Sequence, residues 1–182
     1  ETLVATGELR ADDEQAAAAQ KLDTLQRQLE AQAGSTGLLS RLRGKKKAAV
    51  RGVYMWGGVG RGKSMLMDLF HQTLRIERKR RVHFHAFMLD VHAMLRDERI
   101  KETGDPIPPV AERIARDIDC LAFDEMVVNN SADAMIMSRL FTALIVHEGV
   151  CIVTTSNRVP DDLYKDGLNR EHFLPFIALI RE

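Results

Sequence analysis

Glycine recurs at positions 57, 58, 60 and 62 of this 182-residue sequence, and Lys63 and Ser64 follow directly. Gly57, four intervening residues and then Gly62-Lys63-Ser64 make the spacing of a phosphate-binding loop. The chemistry needs these types. Glycines let the chain curl until successive backbone N–H groups point at one anion, and a helix that starts at the closing glycine adds the positive end of its dipole. Gly57, Gly58, Val59, Gly60, Arg61, Gly62, Lys63, Ser64 and Met65 are therefore the candidate nucleotide-binding set. Within it, Lys63 would reach the β- and γ-phosphates of ATP, and the Ser64 hydroxyl would take one position on Mg2+.

Two further groups complete a reaction. Asp124 and Glu125 are adjacent acids at the end of the apolar run Ile118–Phe123. Asp124 would bind Mg2+, mostly through water, and Glu125 would act as the general base on the attacking water. A second carboxylate beside the metal ligand favours hydrolysis over transfer to another acceptor. Asn157 follows the apolar run Val150–Thr154 and is placed to touch the γ-phosphate and orient the water, or to serve only as the turn before Val159-Pro160. Arg170, further on, is the candidate finger that would reach a neighbouring subunit's nucleotide, or else a surface ion-pair partner.

These residues must be held by strands and helices, and the pattern supplies them. Gly52–Trp56 reads as a buried strand before the glycine loop, and Met65–Phe70 as an apolar helix after it. Val82–Ala86 is the second expected strand, with His83 and His85 on one face. One of these histidines would lie beside the phosphate site, where it could hold the catalytic carboxylate in an inactive pose. With His92 the pair could also form a metal site, although no cysteine or carboxylate pattern completes its shell. Phe87–Lys101 reads as a helix and Gly104–Pro109 breaks it. A short helix over Val110–Arg116 leads into the third strand, Ile118–Phe123. A long helix capped by Asn130 or Ser131 runs through His147, Val150–Thr154 is the fourth strand, and Phe173–Ile180 is an apolar helix.

Ahead of this, Ala11–Gln32 reads as a polar helix with one leucine stripe, Leu22, Leu25 and Leu29, lying across a body rather than inside it. Asp13 and Gln15 near its start are positioned to be tested as adenine-selecting residues. The basic runs Arg41–Lys47 and Arg78–Arg81 read as solvated loops, because no aromatic residues are interleaved for nucleic-acid stacking.

Composition sets the outer limits. Lysine plus arginine and aspartate plus glutamate number 26 each, so no global field draws the chain to nucleic acid. The hydrophobic fraction of 45% suits one globular core. Cys120 and Cys151 both sit in apolar runs and are expected to be buried and reduced. No apolar run reaches the roughly 18 residues that span a bilayer. The expectation is a soluble protein of the cytoplasm.

A phosphate loop after the first strand, an acid pair after the third and an asparagine after the fourth resemble an AAA+ ATPase core. The stretch Tyr54–Phe70 narrows the likeness to the ZapE family of bacterial cell-division ATPases and its mitochondrial AFG1-like relatives. Arg81–His85, Asp105–Val110, Ser156–Arg158, Pro160–Leu168 and Phe173–Ile177 extend it, so that it covers about Gly52 to Ile180. The resemblance implies an α/β P-loop NTPase core of the AAA+/ASCE type, a mostly parallel sheet flanked by helices. It implies Mg2+-dependent ATP hydrolysis to ADP by a homo-oligomer that remodels a protein partner, in bacteria FtsZ at the division ring, with peripheral contact to the inner membrane. The expected division is residues 1–48 as a helix and basic loop packed on the core, and 49–182 as the ATPase core. A fifth strand and a helical lid do not appear before Glu182, so the expectation is a core truncated ahead of them. Two departures stand out. Met126-Val127-Val128-Asn129-Asn130 replaces the family's Phe-Gln-Val-Thr-Asp, and Arg170-Glu171-His172-Phe173 replaces Arg-Glu-Arg-Phe, leaving Arg170 as the finger candidate of that motif. The competing readings are a nucleic-acid-associated AAA+ loader, a nucleotide-gated switch without turnover, and a P-loop kinase, the last disfavoured by Glu125 and Asn157 together.

Overall fold

A computed structural model describes residues 13–35, 50–60, 62–101 and 104–182. The elements run α1 (Asp13–Ser35), β1 (Val53–Trp56), α2 (Lys63–Thr73), β2 (Lys79–His83), α3 (Phe84–Ile100), α4 (Ile107–Asp117), β3 (Cys120–Asp124), α5 (Ser131–Thr142), β4 (Cys151–Ser156) and α6 (Leu174–Arg181). Asn130 caps α5, its Oδ1 accepting the Asp133 amide at 2.8 Å. The helix then widens into a π-turn over Ala143–His147. Short 3₁₀ turns occupy Pro160–Asp162 and Arg170–His172.

The strands form a parallel sheet in the order β1-β4-β3-β2. β3 and β4 are buried along their whole length, which is why their first residues, Cys120–Phe123 and 151–153, read as apolar runs. The pleat sends Leu121 and Phe123 into one helix layer and Cys120 and Ala122 into the other. On the first side Phe123 packs against Phe87 of α3 and Phe141 of α5, ring centroids 4.7 and 5.5 Å apart, and Phe141 meets Phe176 of α6 at 5.4 Å. On the second side lie α1 and α2. Leu22, Leu25 and Leu29 are buried with Met67, Phe70 and Cys151, so the leucine stripe docks α1 on the sheet. Polar contacts fix its register: Thr73 Oγ1 donates to Gln26 at 2.9 Å, and Glu30 accepts the Arg75 amide at 2.8 Å. Cys120 and Cys151 are register partners on neighbouring strands, both free and buried.

The second strand departs from expectation. It spans Lys79–His83 rather than Val82–Ala86, and Phe84 already opens α3. The run Arg78–Arg81, expected as a solvated loop, thus enters the sheet. Among the described residues β2 is an edge strand paired with β3 alone, and the face it turns to α2 is polar. Lys79 Nζ donates to the carbonyls of His71 and Leu74, both at 2.6 Å, satisfying orphan groups at the end of α2. Long basic side chains can lie along a helix in this way while their charged heads find polar partners. The other basic run, Arg41–Lys47, lies outside the described residues.

Candidate functional site

The loop between β1 and α2 curls as its glycines allow. Gly60 and Gly62 have φ of 80° and 72°, a left-handed conformation that costs other residues about 1–2 kcal/mol each. Helix α2 begins at Lys63 with no side-chain cap, and its first closing bond is Leu66 N–H to the Gly62 carbonyl at 3.0 Å. The amides of Lys63, Ser64 and Met65 precede that bond and lie at the positive end of the helix. Gly58, Val59 and Gly60 are exposed, and Gly57 half-buried. Arg61 lies outside the described residues. Lys63 Nζ reaches back over the loop, donating to the carbonyls of Gly57 and Gly58 at 2.7 and 2.8 Å and to Asn157 Oδ1 at 3.2 Å. Those bonds bring the glycine loop and the tip of β4 together, so Asn157 does stand beside Lys63.

Asp124 ends β3 and is buried, whereas Glu125, the next residue, is exposed. The turn is sharp. Glu125 has φ 57°, and its amide donates to Thr155 Oγ1 at 3.0 Å. Beyond it, Met126 N–H donates to the Thr155 carbonyl at 2.8 Å, and Ser156 Oγ donates to the Met126 carbonyl at 3.0 Å. The tips of β3 and β4 are thereby clamped to each other, and this clamp sets where both Glu125 and Asn157 leave the sheet.

Ser64, Asp124 and Glu125 line one open cavity of about 410 Å3, with Arg81, Val82 and His83 on its β2 side. Hydroxyl and carboxylate oxygens are the donors a hard divalent cation takes, and the near-buried carboxylate of Asp124 is already facing positive charge. Arg81 Nε donates to Asp124 Oδ2 at 2.7 Å and Nη2 to Oδ1 at 3.1 Å, while Nη1 pairs with Asp68 of α2. The residues present fit Mg2+, which Ser64 and Asp124 would hold. His83 lines this cavity with Glu125, as the strand-end reading expected of one histidine, while His85 lies in α3. His92 is engaged elsewhere, its Nε2 2.6 Å from Asp133 Oδ1. Among the described residues no group of three or more His, Cys, Asp or Glu side chains is gathered around one metal position.

A second cavity, of about 540 Å3, opens between α1 and the glycine loop, lined by Gln15, Lys21, Tyr54, Trp56, Gly57 and Lys63 among others. Gln15 leans over the loop: a Cβ at Gly62 would sit 3.1 Å from its Nε2. Asp13 does not line this cavity.

Arg170 is placed apart from these groups. Its Nη2 donates to the Asp161 carbonyl at 2.6 Å, and its Nε is buried without a hydrogen-bond partner among the described residues. Sequence reasoning passed over two contributors. Arg81 looked like part of a solvated basic run, and its only available signal was the polar face of an edge strand. Tyr54 looked like strand filler, yet its hydroxyl donates to the Arg158 carbonyl at 2.7 Å, next to Asn157.

A glycine loop after β1, an acid pair after β3 and an amide after β4, gathered at the carboxyl ends of a parallel sheet, define a P-loop NTPase core of the AAA+ type. The crystal structure of a DNA replication initiation factor matches this fold with a TM-score of 0.61 at 15% identity, over 95% of this chain and 45% of that one. The crystal structure of DnaI matches with a TM-score of 0.59 at 15% identity, over 96% of this chain and 85% of that one. The chain belongs to the AFG1-like ATPase family, whose model matches residues 1–182. It is 49% identical over 137 residues to the cell division protein ZapE of Escherichia coli K12, a match covering 75% of this chain and 36% of that protein. It is 46% identical over 143 residues to lactation elevated protein 1 homolog B of Danio rerio, covering 72% of this chain and 28% of that protein. The chain thus spans about a third of the length of these relatives. No helix among the described residues is long and apolar enough to cross a membrane.

Proposed function

We propose that this chain is the catalytic core of a Mg2+-dependent ATPase that spends ATP hydrolysis on remodelling a protein partner. The observation that carries the reading is the Lys63–Asn157 contact, 3.2 Å, with Ser64, the residue after Lys63, lining the cavity that Asp124 and Glu125 also line. In the proposed reaction the amides from Gly57 to Met65 cradle the phosphates, and Lys63 exchanges its carbonyl partners for β- and γ-phosphate oxygens. Ser64 and Asp124 would hold Mg2+, which would supply positive charge to offset that of the phosphate oxygens. Glu125, exposed at the cavity mouth, takes a proton from water as its oxygen bonds to the γ-phosphorus and the bridging oxygen leaves with ADP. Asn157 orients that water. Arg170 acts on a neighbouring subunit's nucleotide, for which it must exchange its bond to the Asp161 carbonyl.

The partner class follows the relatives. The protein named for cell division points to a division protein, and we take FtsZ as the first partner to test, with the chain acting as a homo-oligomer in the cytoplasm at the division site, peripheral to the inner membrane. A protein is favoured over nucleic acid because the run Arg78–Arg81 is spent internally: Arg78 on the Ala115 carbonyl, Lys79 on α2, Arg80 on Asp90, and Arg81 on Asp68 and Asp124. Phosphate release per chain, followed against protein concentration with Mg2+ and ATP, tests the proposal. Specific activity should rise with concentration, vanish in Lys63→Ala, and collapse in Arg170→Ala while ATP still binds. ATP binding without turnover at every concentration would instead make the chain a nucleotide-gated switch, and turnover indifferent to Arg170 would remove the finger.

A further inference from the structure

Arg81 presents three donors to two carboxylates. Nε and Nη2 take the two oxygens of Asp124 side-on, and Nη1 takes Asp68. A fork of this kind fixes the plane of the carboxylate as well as its charge. The two partners are not equivalent. The Asp124 side chain is 12% exposed and Asp68 53%, so the pair with Asp124 is much less screened by water and salt. The reach is made possible by Ala122, the register partner of Arg81, whose methyl leaves the face between Arg81 and Asp124 clear. Asp68 lies four residues after Ser64 on α2, which puts both on one face of that helix.

We propose that Arg81 is a positioning residue of the metal site, holding Asp124 when no divalent cation is bound and competing with the cation for that carboxylate, with Asp68 as its second anchor. The inference rests on the reading of Asp124 as a cation ligand. A doubly charged ion drawn to Asp124 is repelled by the guanidinium a few ångströms away. Arg81 therefore lowers cation affinity, and Asp68 relieves the competition by keeping part of the guanidinium's charge on α2. Cation arrival is thus coupled to the helix that carries Ser64.

The test reads Mn2+ binding by electron paramagnetic resonance on the intact chain with ADP, so it does not depend on turnover. Arg81→Met should tighten Mn2+ about tenfold, the order set by one like charge at short range. Asp68→Asn, which leaves Arg81 wholly on Asp124, should weaken Mn2+ roughly threefold on the same scale. Opposite signs are the signature, since a merely structural role would weaken the cation in both and lower the melting temperature alongside. Arg81→Met that leaves Mn2+ affinity unchanged or lower overturns the inference. If Arg81→Met does not fold, Arg81→Gln takes its place: tighter Mn2+ binding supports the competition, and unchanged or weaker binding overturns it. A wild-type chain that binds no Mn2+ with ADP removes the metal-site reading and this inference together, whereas wild-type binding with the wrong signs removes this inference alone.

Discussion

Lys63 Nζ lies 3.2 Å from Asn157 Oδ1, across 94 residues of sequence, so the first turn of α2 and the tip of β4 share one polar contact. In the parallel order β1-β4-β3-β2 the two strands whose loops supply these groups, β1 and β4, are neighbours. If Lys63 and Asn157 serve the same phosphate, they differ in how they serve it. Lys63→Ala should lose nucleotide binding itself. Asn157→Ala should keep binding and lower kcat by about 10²-fold, the scale for losing one donor aimed at developing charge. Equilibrium binding of a fluorescent ADP analogue, set beside steady-state phosphate release, separates the two. An Asn157→Ala chain whose KM rises with kcat unchanged would make Asn157 a binding residue only.

Glu125 combines a chemical and a conformational signature. Its φ of 57° is unusual for a residue with a side chain, and the Thr155 hydroxyl on its amide holds it there. Glu125→Gln keeps the backbone and removes the base, so ATP binding should persist while turnover falls by about 10²–10⁴. Glu125→Gly removes the base as well, but relieves the left-handed conformation and should raise unfolding free energy by about 1 kcal/mol. Denaturant titration of both variants checks the pair. Equal stability would mean that the clamp, rather than the residue's own preference, sets the turn without strain.

Much of this was readable because the demands fall on residue type. A loop that wraps an anion with its own amides has to be rich in glycine, and a strand covered on both faces is mostly apolar, so Gly57–Ser64 and the apolar starts of β3 and β4 stand out in the sequence. The second strand was misplaced for a converse reason. As an edge strand its face toward α2 is Lys79 and Arg81, and a period-two pattern written in basic residues looks like a solvated run. The contact of Arg81 with Asp124 was out of reach altogether, because 43 residues separate them and only the β2–β3 register brings them together. Arg170 shows the remaining limit: its bond to the Asp161 carbonyl depends on how two 3₁₀ turns meet, for which the local sequence has no signal.

Tyr54 gives the structure a pH signature at the alkaline end. Burial pushes its hydroxyl up to about 12, against smaller opposing effects of Ser156 and Arg158. The unfolded chain titrates near the ordinary value of 10.0. The folded state therefore keeps the proton where the unfolded state loses it, and the contribution is complete below pH 10 and lost as pH climbs toward 12. Tyr54→Phe should flatten the stability curve in that window relative to the wild-type chain, read by urea unfolding at successive pH values. It should also lower turnover at neutral pH, since the bond to the Arg158 carbonyl is lost beside Asn157. Identical alkaline slopes in the two chains would show that Tyr54 is not the titrating group.

Gly52 precedes β1 at a point where the backbone passes hard against β4. A Cβ built there would overlap the Ile152 carbonyl oxygen and stand 3.1 Å from the Ile152 nitrogen. Both obstructing atoms are main chain of a fully buried strand, so nothing flexible can give way. Gly52→Ala should destabilise the chain by about 1–3 kcal/mol and, by displacing β1 from β4, separate the glycine loop from Asn157. Gly34 is the matching control. It lies near the end of α1 with no atom of the described residues within 4 Å of its Cβ position, so the same added methyl should stabilise by up to about 1 kcal/mol through helix propensity. One chemical change with two signs isolates close approach from propensity. Thermal unfolding of both variants, with ADP binding followed in parallel, should show Gly52→Ala losing stability and affinity together and Gly34→Ala losing neither. If Gly52→Ala keeps its melting temperature and its nucleotide, β1 is not held against β4 as tightly as this packing requires, and the link from strand register to site geometry fails at its first step.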